Sequence, residues 1–243
     1  MTDESHVENH YASDGITGRV LTALRNVHGP DVAITPDTLG PIDHFHGRGV
    51  VATGELAAMM QLKASDHLLD IGCGIGGPAR WIAAKYGCRV TGVDLTPEFC
   101  VAARELNAAT GLADRVTILH ALALALPVPA ASFDHAYSHS ALMNISDKQG
   151  AFREAFRVLR PGGLLALSFA GAGPAGEPRY PLPWATNAAI SFLVTPDEAH
   201  RELLAAGFQM EFIRDTTAAV AQALAPVLKR LEPRDFPPWV STS

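Results

Sequence analysis

The chain has little of what marks several large protein classes. Lysine and arginine together number 19 against 25 aspartates and glutamates, so the formal net charge is -6. No basic stripe runs along it, which argues against a nucleic-acid partner. No apolar run approaches the ~20 residues a helix needs to cross a bilayer. The first residues, MTDESHVENH, are polar and acidic and lack the form of a secretory leader. Three cysteines, Cys73, Cys88 and Cys100, are too few for a disulfide framework and lack CxxC spacing, so no metal site is expected from them. A sparse, odd set suits a reducing cytoplasm. What is present is a globular composition, with 48% hydrophobic and 18% charged residues over 243 positions. That length fits one α/β domain with elaborations.

The pattern along the chain divides near residue 60. Residues 1–60 read as a helical N-terminal lid, with one helix over Ile16–Arg25 and another over Val50–Leu62. From residue 61 the chain alternates strands and helices. HLLDI is a first strand, a glycine turn spans Gly72–Gly77, and Pro78–Tyr86 is a helix ended by Gly87. CRVTGVD is a second strand. Thr96-Pro97-Glu98 reads as a helix start with a threonine cap. RVTILH and FDHAYSH are the third and fourth strands. Asp147 opens a helix with apolar residues at helical spacing, Pro161-Gly162-Gly163 closes it, and LLALSFA is the fifth strand. Alternation of this kind predicts a Rossmann-like, doubly wound, mostly parallel sheet covered on both faces. A Pro/Gly-rich insertion at about 171–195 follows. Pro196–Ala206 is a helix, FQMEFIRD a sixth strand, and residues 216–243 an apolar helix with a proline-rich tail. No seventh strand is visible, and an uncovered sheet edge predicts a homodimer.

The chemistry is carried by Leu69-Asp70-Ile71-Gly72-Cys73-Gly74-Ile75-Gly76-Gly77, with Asp94 closing the second strand. Glycines in such a turn let backbone N–H groups approach a ligand at a helix N-terminus. A carboxylate at Asp94 can accept both hydroxyls of a ribose. Gly72, Gly74 and Gly77 also satisfy the G-x-G-x-x-G dinucleotide fingerprint. Asp70 separates the two readings. An aspartate just before the turn repels a dianionic pyrophosphate, whereas it complements the ammonium and sulfonium of S-adenosylmethionine. A nicotinamide oxidoreductase and an S-adenosylmethionine-binding protein that transfers no methyl group remain the alternatives.

These residues resemble those of class I S-adenosylmethionine-dependent methyltransferases, and more narrowly the sarcosine/dimethylglycine-methyltransferase-like group. The similar stretches are LGPIDHFHGRGVVATGELA, the long run from LLDIGCGIGG to ATGLADRV, ALMNISDK, FRVLRPGGLLALS and YPLPWA followed by SFLVTP. The resemblance implies transfer of a methyl group to a nitrogen or oxygen of a small metabolite, with carbon the third choice. It places Asp70, Gly72, Cys73 and Gly74 along the methionine part of the cofactor. It places Asp94 on the ribose, Leu95 on the adenine face, and Leu122 and Ala123 at the adenine edge. Relatives usually carry Gly-Asp-Ala where this chain has Ala121-Leu122-Ala123, so the adenine amino group here meets a backbone carbonyl or water. The end of the fourth strand, Ser138-His139-Ser140, should face the methyl group. His139 is the candidate catalytic base or orienter, and its alternative is packing against the cofactor. Ser138 is the neighbouring cofactor contact. The stretch Asp43-His44-Phe45-His46-Gly47-Arg48 reads as a lid in which His46 and Arg48 could meet substrate. The other reading of Arg48 is a surface position, where it meets no substrate. Two histidines at this spacing lack a third metal ligand, and methyl transfer needs no metal. Tyr11, Asn144, Tyr180 and Trp184 complete the candidate substrate contacts.

Overall fold

The structure, a computed structural model, describes residues 15–44 and 46–230. Five strands make one sheet: β1 (His67–Ile71), β2 (Arg89–Asp94), β3 (Val116–His120), β4 (Phe133–His139) and β5 (Leu159–Ser168). Their order is β3-β2-β1-β4-β5, and every pair is parallel. The α/β doubly wound expectation therefore holds. Successive strand residues face opposite sides. Leu68, Val90 and Tyr137 pack on one side with Ile82 of α4 (Gly77–Tyr86) and Ala103 of α5 (Pro97–Ala109). Leu69, Val93 and Ala136 pack on the other with Ala155 and Val158 of α6 (Lys148–Val158). Each buried aliphatic side chain contributes about 1.5–3 kcal/mol. Because β1 has β2 on one flank and β4 on the other, the chain turns opposite ways after them. A crevice opens at the carboxyl ends of these strands.

Three helices precede the sheet: α1 (Ile16–His28), α2 (Pro36–Asp43) and α3 (Gly49–Met59). α2 starts on a capping box in which Thr35 and Thr38 exchange side-chain and backbone bonds. Val20 and Leu24 of α1 join Leu39 of α2 and Leu106 of α5 in a small core. α2 lies tight on α4: a Cβ at Gly77 would stand 2.2 Å from the Asp43 carbonyl oxygen. There Arg80, fully buried, gives Asp43 two bonds of 2.7 and 3.3 Å and Asn107 a third of 3.0 Å. Removing one partner of a buried, bonded ion pair strands the other charge, at about 3–5 kcal/mol. Asp43→Ala is thus expected to lower the thermal midpoint by about 10 °C. Replacing both residues with apolar ones should recover most of that in the same melts.

Three local expectations change. FQMEFIRD forms no strand, and residues 208–216 carry neither helix nor strand. Phe208 packs edge-on against Phe156 at 5.2 Å, while Met210, Phe212 and Ile213 are exposed. Alternating apolar residues make a strand only where a neighbour supplies backbone partners, and among the described residues no strand stands beyond β5 to do so. Pro161-Gly162-Gly163 does not precede the fifth strand but is looped out inside it, between the pairings of Leu159 with Phe133 and Leu164 with His135. Thr96 starts α5 without a side-chain cap; its own N–H donates to Asp94. The last two helices are α7 (Pro196–Ala205), begun by a Thr195/Glu198 capping box, and α8 (Thr217–Arg230).

Candidate active site

The glycine turn is held from behind. Gly72 and Cys73 donate their N–H groups to the Val93 carbonyl at 2.9 and 3.0 Å, which ties the end of β1 to β2. Gly72, Gly74 and Gly76 all have positive φ (76°, 53° and 80°), the region where a side chain is strained. Space decides two of them further. A Cβ at Gly72 would lie 2.2 Å from that of Ala141, so the loop after β4 closes against the turn only with glycine there. A Cβ at Gly74 would meet nothing, because that position faces the cavity.

Two carboxylates border the turn. Asp94 accepts from Gly74 N–H at 2.7 Å on one oxygen and from Thr96 N–H at 2.9 Å on the other. Each oxygen keeps a lone pair for a hydroxyl. Burial pushes the Asp94 carboxyl up, against the pull of these bonds. Asp70 is 1% exposed and accepts from the Tyr137 hydroxyl at 2.9 Å. Burial, opposed by that bond and reinforced by Asp94, raises the Asp70 carboxyl to about 7. Among the described residues no cation pairs with it. A buried acid without a counter-charge, beside a turn whose central glycine faces open space, is a fit for the cationic end of a ligand.

The cavity over these groups encloses about 1260 Å³. Leu95, Leu122 and Ala123 line the side next to Asp94. His120 donates from Nε2 to the Leu95 carbonyl at 2.7 Å, so the residue before the altered adenine edge positions its neighbour. Ser138 is buried, gives its hydroxyl to the Ile71 carbonyl at 2.8 Å, and is not among the lining residues. Cys73 lines the cavity, and burial holds its thiol well above the ordinary range.

His139 lines the far side, at the end of β4. The next residue, Ser140, takes φ +60°, a strained conformation for a non-glycine that recurs at functional sites. The His139 ring stacks on His46 at 3.6 Å and 22°. Among the described residues its buried Nδ1 has no hydrogen-bond partner, and the ring borders the cavity. Thr53 joins the lid histidines, with its hydroxyl 2.9 Å from His44 Nδ1 and 3.4 Å from His46 Nε2. Burial, with neighbouring cationic charge, lowers His44 and His46 to about 4 and His139 to about 3, so all three are neutral at pH 7. Among the described residues no cluster suits a metal ion.

The remaining candidates divide between wall and scaffold. Arg48 lines the cavity but forks onto Glu55 at 2.9 and 2.7 Å. Asn144 donates to the carbonyls of Trp184 and Ile190 at 2.8 and 2.9 Å, pinning the insertion to the end of β4. Trp184 lines the cavity and bonds Ser191 through its indole N–H at 3.1 Å. Tyr180 lies in the small lid core with Ala185 and Ile190 instead of on the cavity wall. Tyr11 and Phe45 lie outside the described residues. The sequence showed α8 as an apolar helix, but its reading missed the docking site, where Val220, Ala221 and Leu224 close one wall. It also missed the seal of Gly47, where a Cβ would stand 2.8 Å from Val220.

A parallel sheet with a glycine turn after β1 and carboxylates at the ends of β1 and β2 defines a binding domain for a ribose-bearing cofactor. A methyltransferase domain model matches residues 69–167. Over 183 residues the chain is 34% identical to 27-O-demethylrifamycin SV methyltransferase of Amycolatopsis mediterranei, covering 74% of this chain and 67% of that protein. It spans about half, or less, of the other curated relatives it matches. The solved [4+2]-cyclase SpnF is 26% identical, with a TM-score of 0.67 over 93% of this chain and 82% of that one. Phosphoethanolamine N-methyltransferase 2 of Haemonchus contortus, solved with S-adenosylhomocysteine, shares the fold at 23% identity. Its TM-score is 0.72 over 95% of this chain and 50% of that one. The chain belongs to the S-adenosylmethionine-dependent methyltransferases, and S-adenosylmethionine is its cofactor.

Proposed function

We propose that the protein moves a methyl group from S-adenosylmethionine to an oxygen or nitrogen of a small metabolite, with Asp70 and Asp94 holding the cofactor and His139 meeting the nucleophile. The observation that carries this reading is the continuity of one cavity from the Asp70–Asp94 pair to His139. When bound, the cofactor supplies an electrophilic methyl carbon on a neutral leaving group. The protein's tasks are then to align the nucleophile and exclude water. The turn from Gly72 to Gly76 and the Asp94 carboxylate support the nucleoside. Asp70 supports the amino-acid tail. The His139 imidazole, neutral at pH 7, accepts a hydrogen bond from the nucleophile and takes its proton as the methyl arrives. An imidazole as weakly basic as His139 is sufficient, since an oxygen gaining a methyl becomes far more acidic than an alcohol.

Asp70 makes cofactor binding depend on pH. Its carboxyl titrates at about 7 in the free protein, and a cationic ligand favours the ionised form. Below that pH, binding must expel a proton. Affinity for S-adenosylmethionine is therefore expected to fall as pH drops, by up to about tenfold per unit, and to level off above 7. Titration calorimetry between pH 5.5 and 8.5 reads this directly. Asp70→Asn should flatten the profile, and a flat profile in the unmodified protein would remove Asp70 from the role.

The reading itself is tested by incubating the protein with labelled cofactor and a metabolite panel. S-adenosylhomocysteine must form one-for-one with a methylated product. Tight cofactor binding with no methylated product from any extract would favour a binding protein instead.

A further inference from the structure

We infer that the methyl acceptor is an uncharged, largely apolar molecule that presents a hydroxyl to His139. This deepens the proposed methyl transfer and rests on it. The cavity, about 1260 Å³, exceeds the ~1,000 Å³ at the upper end for one drug-sized ligand. The part along Asp70, Gly74, Asp94 and Leu95 takes the cofactor. The rest runs between Ala52, Met143, Phe169, Trp184, Val220 and Leu224, an apolar wall.

Charge accounting excludes ionic acceptors from that part. Among the described residues the lining cations are Arg19 and Arg48 and the lining acids are Asp43, Asp70 and Asp94. Asp43 spends both oxygens on buried Arg80. Arg48 is forked onto Glu55, and Arg19 has a partner of its own. Asp70 and Asp94 belong to the cofactor side. A phosphate, carboxylate or ammonium would enter without a counter-charge, which desolvation penalises heavily. The polar groups left among the described lining residues are the neutral imidazoles of His44, His46 and His139, the Asn144 amide and hydroxyls such as those of Ser168 and Thr217. These can hydrogen-bond an O–H or a carbonyl, and none supplies the opposite charge that a buried ion requires. Leu224, 40% exposed at the cavity wall, extends the apolar surface outward. Accordingly, sarcosine and phosphoethanolamine are the wrong acceptors, despite the resemblance in the N-terminal lid.

The test uses the full chain saturated with S-adenosylhomocysteine, with that binding first verified by calorimetry. Equilibrium dialysis then compares naringenin and estradiol, both neutral multi-ring phenols, with sarcosine and phosphoethanolamine. The phenols are expected to bind at least tenfold more tightly. Leu224→Asp, at an already exposed position, should weaken them about tenfold while the S-adenosylhomocysteine affinity stays within twofold. Equal or tighter binding of the charged pair, or no binding of the phenols to the cofactor-loaded protein, overturns the inference and leaves the methyltransferase reading standing. Failure to bind S-adenosylhomocysteine brings down that reading and the inference with it.

Discussion

Asp94→Ala is expected to weaken S-adenosylhomocysteine binding about 100-fold, measured by calorimetry, with the fold intact by circular dichroism. The carboxylate does two jobs at once. Its oxygens hold Gly74 N–H and Thr96 N–H at 2.7 and 2.9 Å, which shapes both the glycine turn and the start of α5. Their remaining lone pairs face the ligand space. Charge-assisted hydrogen bonds contribute about 1.5–3 kcal/mol each, and two lost ligand bonds come to about 3 kcal/mol at the low end. That is a factor of ~100 in Kd. Asp94→Asn keeps one acceptor oxygen and should lose about tenfold. If Asp94→Ala binds as tightly as the unmodified protein, the ribose lies elsewhere.

His139→Phe is expected to lower kcat by about 10²–10³ while leaving the affinity for S-adenosylhomocysteine unchanged. Proton transfer by a positioned side chain is worth ~10²–10⁴ in rate. Phenylalanine is the informative choice because a ring at 139 can still stack on His46, as His139 does at 3.6 Å. A merely structural role would be preserved by it, and a full-activity His139→Phe enzyme would show that the imidazole only packs. The pH profile separates the groups further. His139 titrates near 3, so it stays neutral through the acid limb, and the fall in kcat/KM for the cofactor below pH 7 should follow Asp70.

The sheet and the cofactor turn were legible in the sequence because their signals are local. Leu69 to Gly77 carries strand, glycine conformations and carboxylate within nine residues, and Asp94 follows at the end of the next strand. The wall of the acceptor side was not. Asp43 and Arg80 lie 37 residues apart, and nothing in either local stretch names the other as its partner. Tyr137 reaches Asp70 across 67 residues, through a register that only the β1–β4 pairing sets. Strand parity decides Ser138 against His139: one turns beneath the sheet end to Ile71, the other into the cavity, and a one-residue shift would exchange them. The alternation in FQMEFIRD was real, but a strand is a property of two segments, and the partner was missing. Asn144 shows the same limit, since its two bonds reach residues 40 and 46 positions further along.

Leu95 stands in two places at once. It borders the cofactor side of the cavity, and it packs in the same small core as Tyr180, Trp184, Ala185 and Ile190 of the insertion. Nucleoside and acceptor sides therefore meet through one packed side chain. Any shift of Leu95 on nucleoside binding is transmitted to the covering segment, and by thermodynamic reciprocity an acceptor gripped by that segment tightens the nucleoside by the same factor.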